Sequence, residues 1–175
     1  KAMESYKQAM TIGTSVSDYV YCVSAKNAAT LLSKTGKPAD VIKFVGRVVE
    51  AENVGVFCGD SDLSTIFILQ FIAFSKTKEF ARATYLGEEM LRREGCVLQL
   101  RAWVATWLLA IYSLNGNLTR AMELAGEFCQ PEILSSLGNT PTRTQLVNNI
   151  AFVHLESGSF DEADRFLQMI SGRIH

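Results

Sequence analysis

The sequence predicts an all-α fold of stacked helix pairs, an α-α superhelix, and three observations carry that prediction. Apolar residues recur at helical spacing along most of the chain. Only 3 prolines occur in 175 residues, which leaves long stretches free of helix breakers. Turn positions also repeat: Gly36, Lys78, Gly116 and Gly158 occupy equivalent places, and five residues after each stand Val41, Ala83, Ala121 and Ala163. With Ala2 fitted one register earlier, successive intervals are 39, 42, 38 and 42 residues. A unit of this kind cannot bury its apolar face alone, so neighbours must stack. A small residue after the turn lets the two helices of a pair approach closely. Seven residues on come Ala9, Val48, Met90, Phe128 and Ile170, two turns along the same face.

The elements follow in order. Lys1–Ile12 is an amphipathic helix with Ala2, Tyr6, Ala9 and Met10 on one face, and Gly13 is its expected stop. It reads as the second helix of a pair whose first helix is missing, so the chain is expected to be a fragment of a longer one. Ser15–Lys34 is the next helix, capped by Ser17 or Asp18. Thr35-Gly36-Lys37 is a turn, and Pro38 opens a helix to Glu52 in the first-turn position proline favours. Val41, Phe44, Val45, Val48 and Val49 face inward there; so many β-branched residues mean that packing holds this helix.

Asn53–Ser61 reads as a loop. Asp62 or Ser64 then caps an apolar helix to Ser75; its β-branched and aromatic content also suits a strand, but helix-period segments flank it on both sides. After a turn at Lys76–Glu79, Phe80–Glu94 is a helix with Ala83, Leu86, Met90 and Leu91 inward and Glu88, Arg92 and Arg93 outward; Gly95 ends it. Leu98–Leu114 is apolar nearly all round, so more than one face should be buried. Asn115-Gly116-Asn117 is the strongest turn signal. Its partner helix is Leu118–Cys129, followed by a short turn of helix at Glu132–Leu137 and a loop through Pro141. Thr142–Glu156 and Ser159–Ser171 form the last pair. The chain thus reads as one helical-repeat domain, with a half repeat at 1–13 and repeats at about 15–52, 62–95, 98–130 and 142–171.

Composition bounds the function. Hydrophobic residues are 48% and charged residues 20%, a globular balance. The net charge of -1 offers no broad attraction to phosphate backbones or anionic membranes. Cys22, Cys58, Cys96 and Cys129 are scattered without a C-x-x-C pair, so reduced thiols and a cytoplasmic location are expected, with any targeting segment outside this stretch. The apolar runs Ile66–Phe74 and Trp103–Leu114 are too short to span a bilayer.

The repeat resembles the tetratricopeptide-repeat family in its long-period variety. Tyr112, Gly116 and Ala121 match its loose pattern in one unit, Gly158, Phe160 and Ala163 in the last, Phe80 and Ala83 in another, and Ala2, Tyr6 and Ala9 in the leading half. Lys78, Pro38, Val41 and His154 depart from it. The resemblance implies an α-α superhelix whose first helices line a concave groove that holds protein segments. Carrying that register across, the groove set is Val23, Lys26, Asn27 and Thr30; Thr65, Ile68, Leu69 and Ile72; Trp103, Thr106, Trp107 and Ala110; and Gln145, Asn148, Asn149 and Phe152. The family's carboxylate clamp for acidic chaperone tails needs Lys, Asn and Arg across successive units; Lys26 and Asn27 are present, but Ile68, Leu69, Trp103 and Trp107 are not clamp chemistry, so no binding of such tails is expected. Such a groove suits an amphipathic helix or apolar peptide, with the two tryptophans as anchors or, alternatively, as packing between units.

The pentatricopeptide family is a cousin in shape, and Glu88–Cys96 has its helix-end flavour; it implies single-stranded RNA as ligand, which a pI near 6.2 opposes. No catalytic set is visible. His154 is expected to be a satisfied core histidine, His175 is terminal, and Glu88-Glu89 and Asp161-Glu162 read as solvated surface, because adjacent helix residues do not face each other. The expectation is therefore a non-enzymatic protein-binding scaffold or complex subunit, with no cofactor, no metal, no nucleic acid and no membrane.

Overall fold

A computed structural model describes residues 1–16, 18–49 and 60–172. Ten helices form among them, labelled here α1 Ala2–Val16, α2 Asp18–Thr35, α3 Pro38–Val49, α4 Asp60–Lys76, α5 Phe80–Arg92, α6 Leu98–Leu114, α7 Leu118–Phe128, α8 Pro131–Ser136, α9 Pro141–Glu156 and α10 Phe160–Ser171. The described residues contain no strand, and the all-α class is as expected. The strand alternative for the apolar stretch before Ser75 gives way to a helix of 17 residues. The loop expected at 53–61 falls almost wholly outside the described residues.

The chain divides into two compact units, Lys1–Leu86 and Gly87–His175. In the first, α1 packs on α2, α2 on α3, and α4 closes against both α2 and α3. Its core joins Cys22, Ala25, Ala28 and Ala29 of α2 to Val41, Phe44, Val45 and Val48 of α3 and to Ile66 and Ala73 of α4. The small residues of α2 allow the close approach. Boundaries differ from expectation: α1 runs through Gly13 and ends at Val16, so α2 starts at Asp18 rather than Ser15, and α4 starts at Asp60, ahead of the expected caps Asp62 and Ser64. A glycine inside a helix costs only about 1 kcal/mol, which packing against α2 outweighs.

In the second unit, α6 is the central rod. It packs on α7 and α9, and α9 packs in turn on α7 and α10. Ala102, Val104, Ala105, Leu108, Leu109, Ile111 and Tyr112 are all buried, so α6 is covered on several sides, as its all-round apolar character predicts. The residues placed after each turn behave alike: Val41, Ala83, Ala121 and Ala163 are all buried.

The turns explain the pairing. Gly116 and Gly158 adopt positive φ of 69° and 78°, and Lys78, at the equivalent place, adopts 61° despite its side chain. A left-handed residue ends one helix and points the chain back along it. Gly36 departs from this pattern: it is not among the positive-φ glycines, and a Cβ there would lie 2.9 Å from the Leu32 carbonyl oxygen.

Candidate functional site

The second unit holds a cleft of about 380 Å³ lined by Thr106, Trp107 and Ala110 of α6, Thr144, Gln145, Asn148 and Asn149 of α9, and Ile170 of α10. Local sequence places these side chains. On α6 the buried face carries Leu108 and Ile111, which leaves Trp107 turned outward and 40% exposed. On α9, Thr140 caps the helix by accepting from the Arg143 N–H at 3.2 Å, and Pro141 sits in the first turn. Leu146, Val147 and Ile150 then face the core, so Gln145, Asn148 and Asn149 fall on the cleft side.

One polar contact fixes the two walls. Asn149 Nδ2 donates to the Thr106 carbonyl oxygen at 2.7 Å, latching α9 onto α6. The buried Thr106 hydroxyl donates to its own helix, to the Ala102 carbonyl at 2.8 Å. Trp103 and Trp107 lie with ring centroids 6.0 Å apart and tilted by 53°. Among the described residues no charged side chain lines the cleft, a surface that favours uncharged, apolar occupants.

The cleft brings together Trp107, Asn148 and Asn149 from the expected groove set, with Thr106, Ala110 and Gln145 beside them. Trp103 is half-buried and does not line the cleft, and Phe152 stands 50% exposed on α9 without lining it either. Thr144 and Ile170 also line it and were not in the expected set; Ile170 was legible only as a packing position. The remaining expected residues belong to the first unit. Lys26, Asn27 and Thr30 are half-buried on α2, and the Thr30 hydroxyl donates to the Lys26 carbonyl at 2.8 Å. Leu69 and Ile72 line a niche of only about 50 Å³ with Pro38 and Val41, and Ile68 is half-buried beside them in sequence.

Glu88, Tyr112 and Arg120 form a polar cluster that sequence reasoning missed. Glu88 of α5 accepts from Arg120 Nε and Nη2 of α7, both at 2.9 Å, and from the Tyr112 hydroxyl of α6 at 2.5 Å. Arg120 also pairs with Glu123 at 3.0 Å and Glu127 at 3.6 Å. Glu88 is thus no solvated surface acid: its side chain is 14% exposed. The correction has a simple cause, since a partner 32 residues away cannot be read from helix spacing. Burial pushes the Glu88 carboxyl up, but hydrogen bonds from Arg120 and Tyr112 outweigh it and hold the group below its usual range. Burial and the Glu88 carboxylate together push the Tyr112 phenol up to about 12.

Two further expectations are corrected. His154 stacks on Phe166 with centroids 5.4 Å apart, yet its buried Nδ1 has no hydrogen-bond partner among the described residues, so this histidine is packed but not satisfied. Burial lowers its pKa below the ordinary value, with Glu162 opposing. Cys22 is disulfide-bonded rather than a free thiol, while Cys96 and Cys129 are free. Disulfide formation depends on Cα separations in space, which spacing along the sequence does not reveal. Cys58 lies outside the described residues.

Among the described residues, no cluster of three or more His, Cys, Asp or Glu could hold a metal ion, and no helix is long and apolar enough to cross a membrane. No protein-family model matches the chain, and a search of curated proteins finds no match either.

Proposed function

We propose that this chain is a non-enzymatic binding scaffold of the tetratricopeptide-like kind. In this reading it docks an apolar or helical peptide segment of a partner protein in the cleft between α6 and α9. The observation that carries the reading is Trp107: a large aromatic residue 40% exposed at a concave site that no charged side chain lines among the described residues, and whose walls are latched together. An exposed tryptophan in a preformed cleft is the kind of anchor that dominates binding energy, with truncation costing about 2 kcal/mol or more. Phe152 and Leu155 of α9 and Phe160, Leu167 and Ile170 of α10 are also exposed. So much uncovered apolar surface supports a partner that is a stable subunit of an assembly.

Affinity capture from the source cells tests this, with wild-type protein and a Trp107→Ala variant as baits. The proposal expects a specific protein retained by the wild type and lost by the variant, at an unchanged melting temperature. A variant that keeps its ligand, or one whose fold collapses because Trp107 is core packing, overturns it.

A further inference from the structure

A second cleft lies in the first unit, and its chemistry differs from that of the α6–α9 site. It measures about 480 Å³ and is lined by Lys7, Met10 and Thr11 of α1, Tyr21 of α2, and Phe44, Arg47 and Val48 of α3. Phe44 and Val48 are buried and Met10 and Tyr21 half-buried, so they form an apolar floor; Lys7, Thr11 and Arg47 are exposed and form the rim. Among the described residues, two cations line the cleft and no carboxylate does.

Both cations have donors to spare. Arg47 spends only Nε, which donates to the Lys43 carbonyl of its own helix at 3.3 Å. Its two terminal nitrogens and the Lys7 ammonium have no carboxylate partner among the described residues. The Tyr21 hydroxyl, at the edge of the floor, has no hydrogen-bond partner among them either.

We propose that this cleft binds an acidic, apolar peptide segment of a protein partner. A carboxylate meets Lys7 and Arg47, and the aliphatic or aromatic side chain next to it covers Met10, Phe44 and Val48. A bare anion would leave the floor in water, and a purely apolar group would leave the forked guanidinium unused; only a ligand carrying both satisfies the surface. The cleft is broadly open and its rim exposed, so it cannot wrap a free acyl chain, whereas a peptide lies across it with two side chains seated. Lys26 and Asn27 take no part in this site.

The test is fluorescence anisotropy with a labelled synthetic peptide built of Asp, Glu, Leu and Phe, beside a copy in which every acid is replaced by its amide. The acidic peptide is expected to bind saturably, to weaken as salt is raised, and to lose about tenfold in affinity in Lys7→Glu and in Arg47→Glu. Trp107→Ala should leave this binding unchanged, which separates the site from the α6–α9 cleft. Absence of saturable binding, equal binding of the amide copy, equal binding by both charge-reversed variants, or preferential binding of laurate over the peptide overturns the proposal. Should either reversal disturb the melting curve, Lys7→Gln and Arg47→Gln give the same readout with the rim left uncharged.

Discussion

Arg120→Ala probes the polar cluster that ties Glu88, Tyr112 and Arg120 of the second unit together. Two charge-assisted hydrogen bonds of 2.9 Å are lost, and Glu88, only 14% exposed, keeps just the Tyr112 hydroxyl. A hydrogen bond to a charged group contributes about 1.5–3 kcal/mol, and leaving a fully buried charge unpaired costs about 3–5. Arg120 itself is 30% exposed, so water screens part of the pair and the cost should settle at about 2 kcal/mol. For a chain of this size that corresponds to a fall in melting temperature of roughly 4–8 °C. Melting followed by circular dichroism at neutral pH measures it. The Glu88 carboxyl is held below its unfolded value, so the pair's contribution is fully present above the ordinary carboxylate pKa of about 4.3 and is lost as pH falls through the lower folded one. Wild type and variant should therefore converge in acid. A loss below about 0.5 kcal/mol at pH 7, or a gap that persists in acid, refutes the account of the cluster.

Three other outcomes follow from the fold. Lys78 holds a positive φ of 61° where equivalent turns use glycine; Lys78→Gly should stabilise by up to about 1 kcal/mol in chemical denaturation, and a loss of stability would contradict the strain. Ala163 is fully buried at the contact between α9 and α10, so Ala163→Leu should cost about 1–3 kcal/mol or more by overpacking, whereas a neutral result would remove the close-contact argument. His154 has its pKa lowered by burial, so the unfolded chain takes up the proton first: stability is full above the ordinary histidine pKa and declines as pH drops below it. His154→Phe should flatten the melting-temperature profile through that window; an unaltered acid slope would sink this reading.

Much of the second unit was legible in the sequence because its signals are local. Leu98–Leu114 was bounded by Gly95 and Asn115-Gly116-Asn117, and the helix spans those residues. The alanines at 121 and 163 announced close contacts through their spacing from the turns, and they are buried. What the sequence hid depends on distance in space. Glu88 met a cation from another helix, Cys22 met a disulfide partner, and Gly13 stayed helical because α2 covers α1. For the candidate site, Trp107, Asn148 and Asn149 were found by register, since α6 and α9 repeat at 42 residues. Thr144 and Ile170 were not, because the cleft is closed by the end of α10, and a register that counts only first helices cannot see it.

The most direct measurement is backbone hydrogen exchange of the protein with and without the partner captured from cells. Segments Val104–Ala110 and Thr144–Phe152 should slow together on binding while α2 is unchanged. Protection that leaves both cleft walls untouched would contradict the docking role assigned to them.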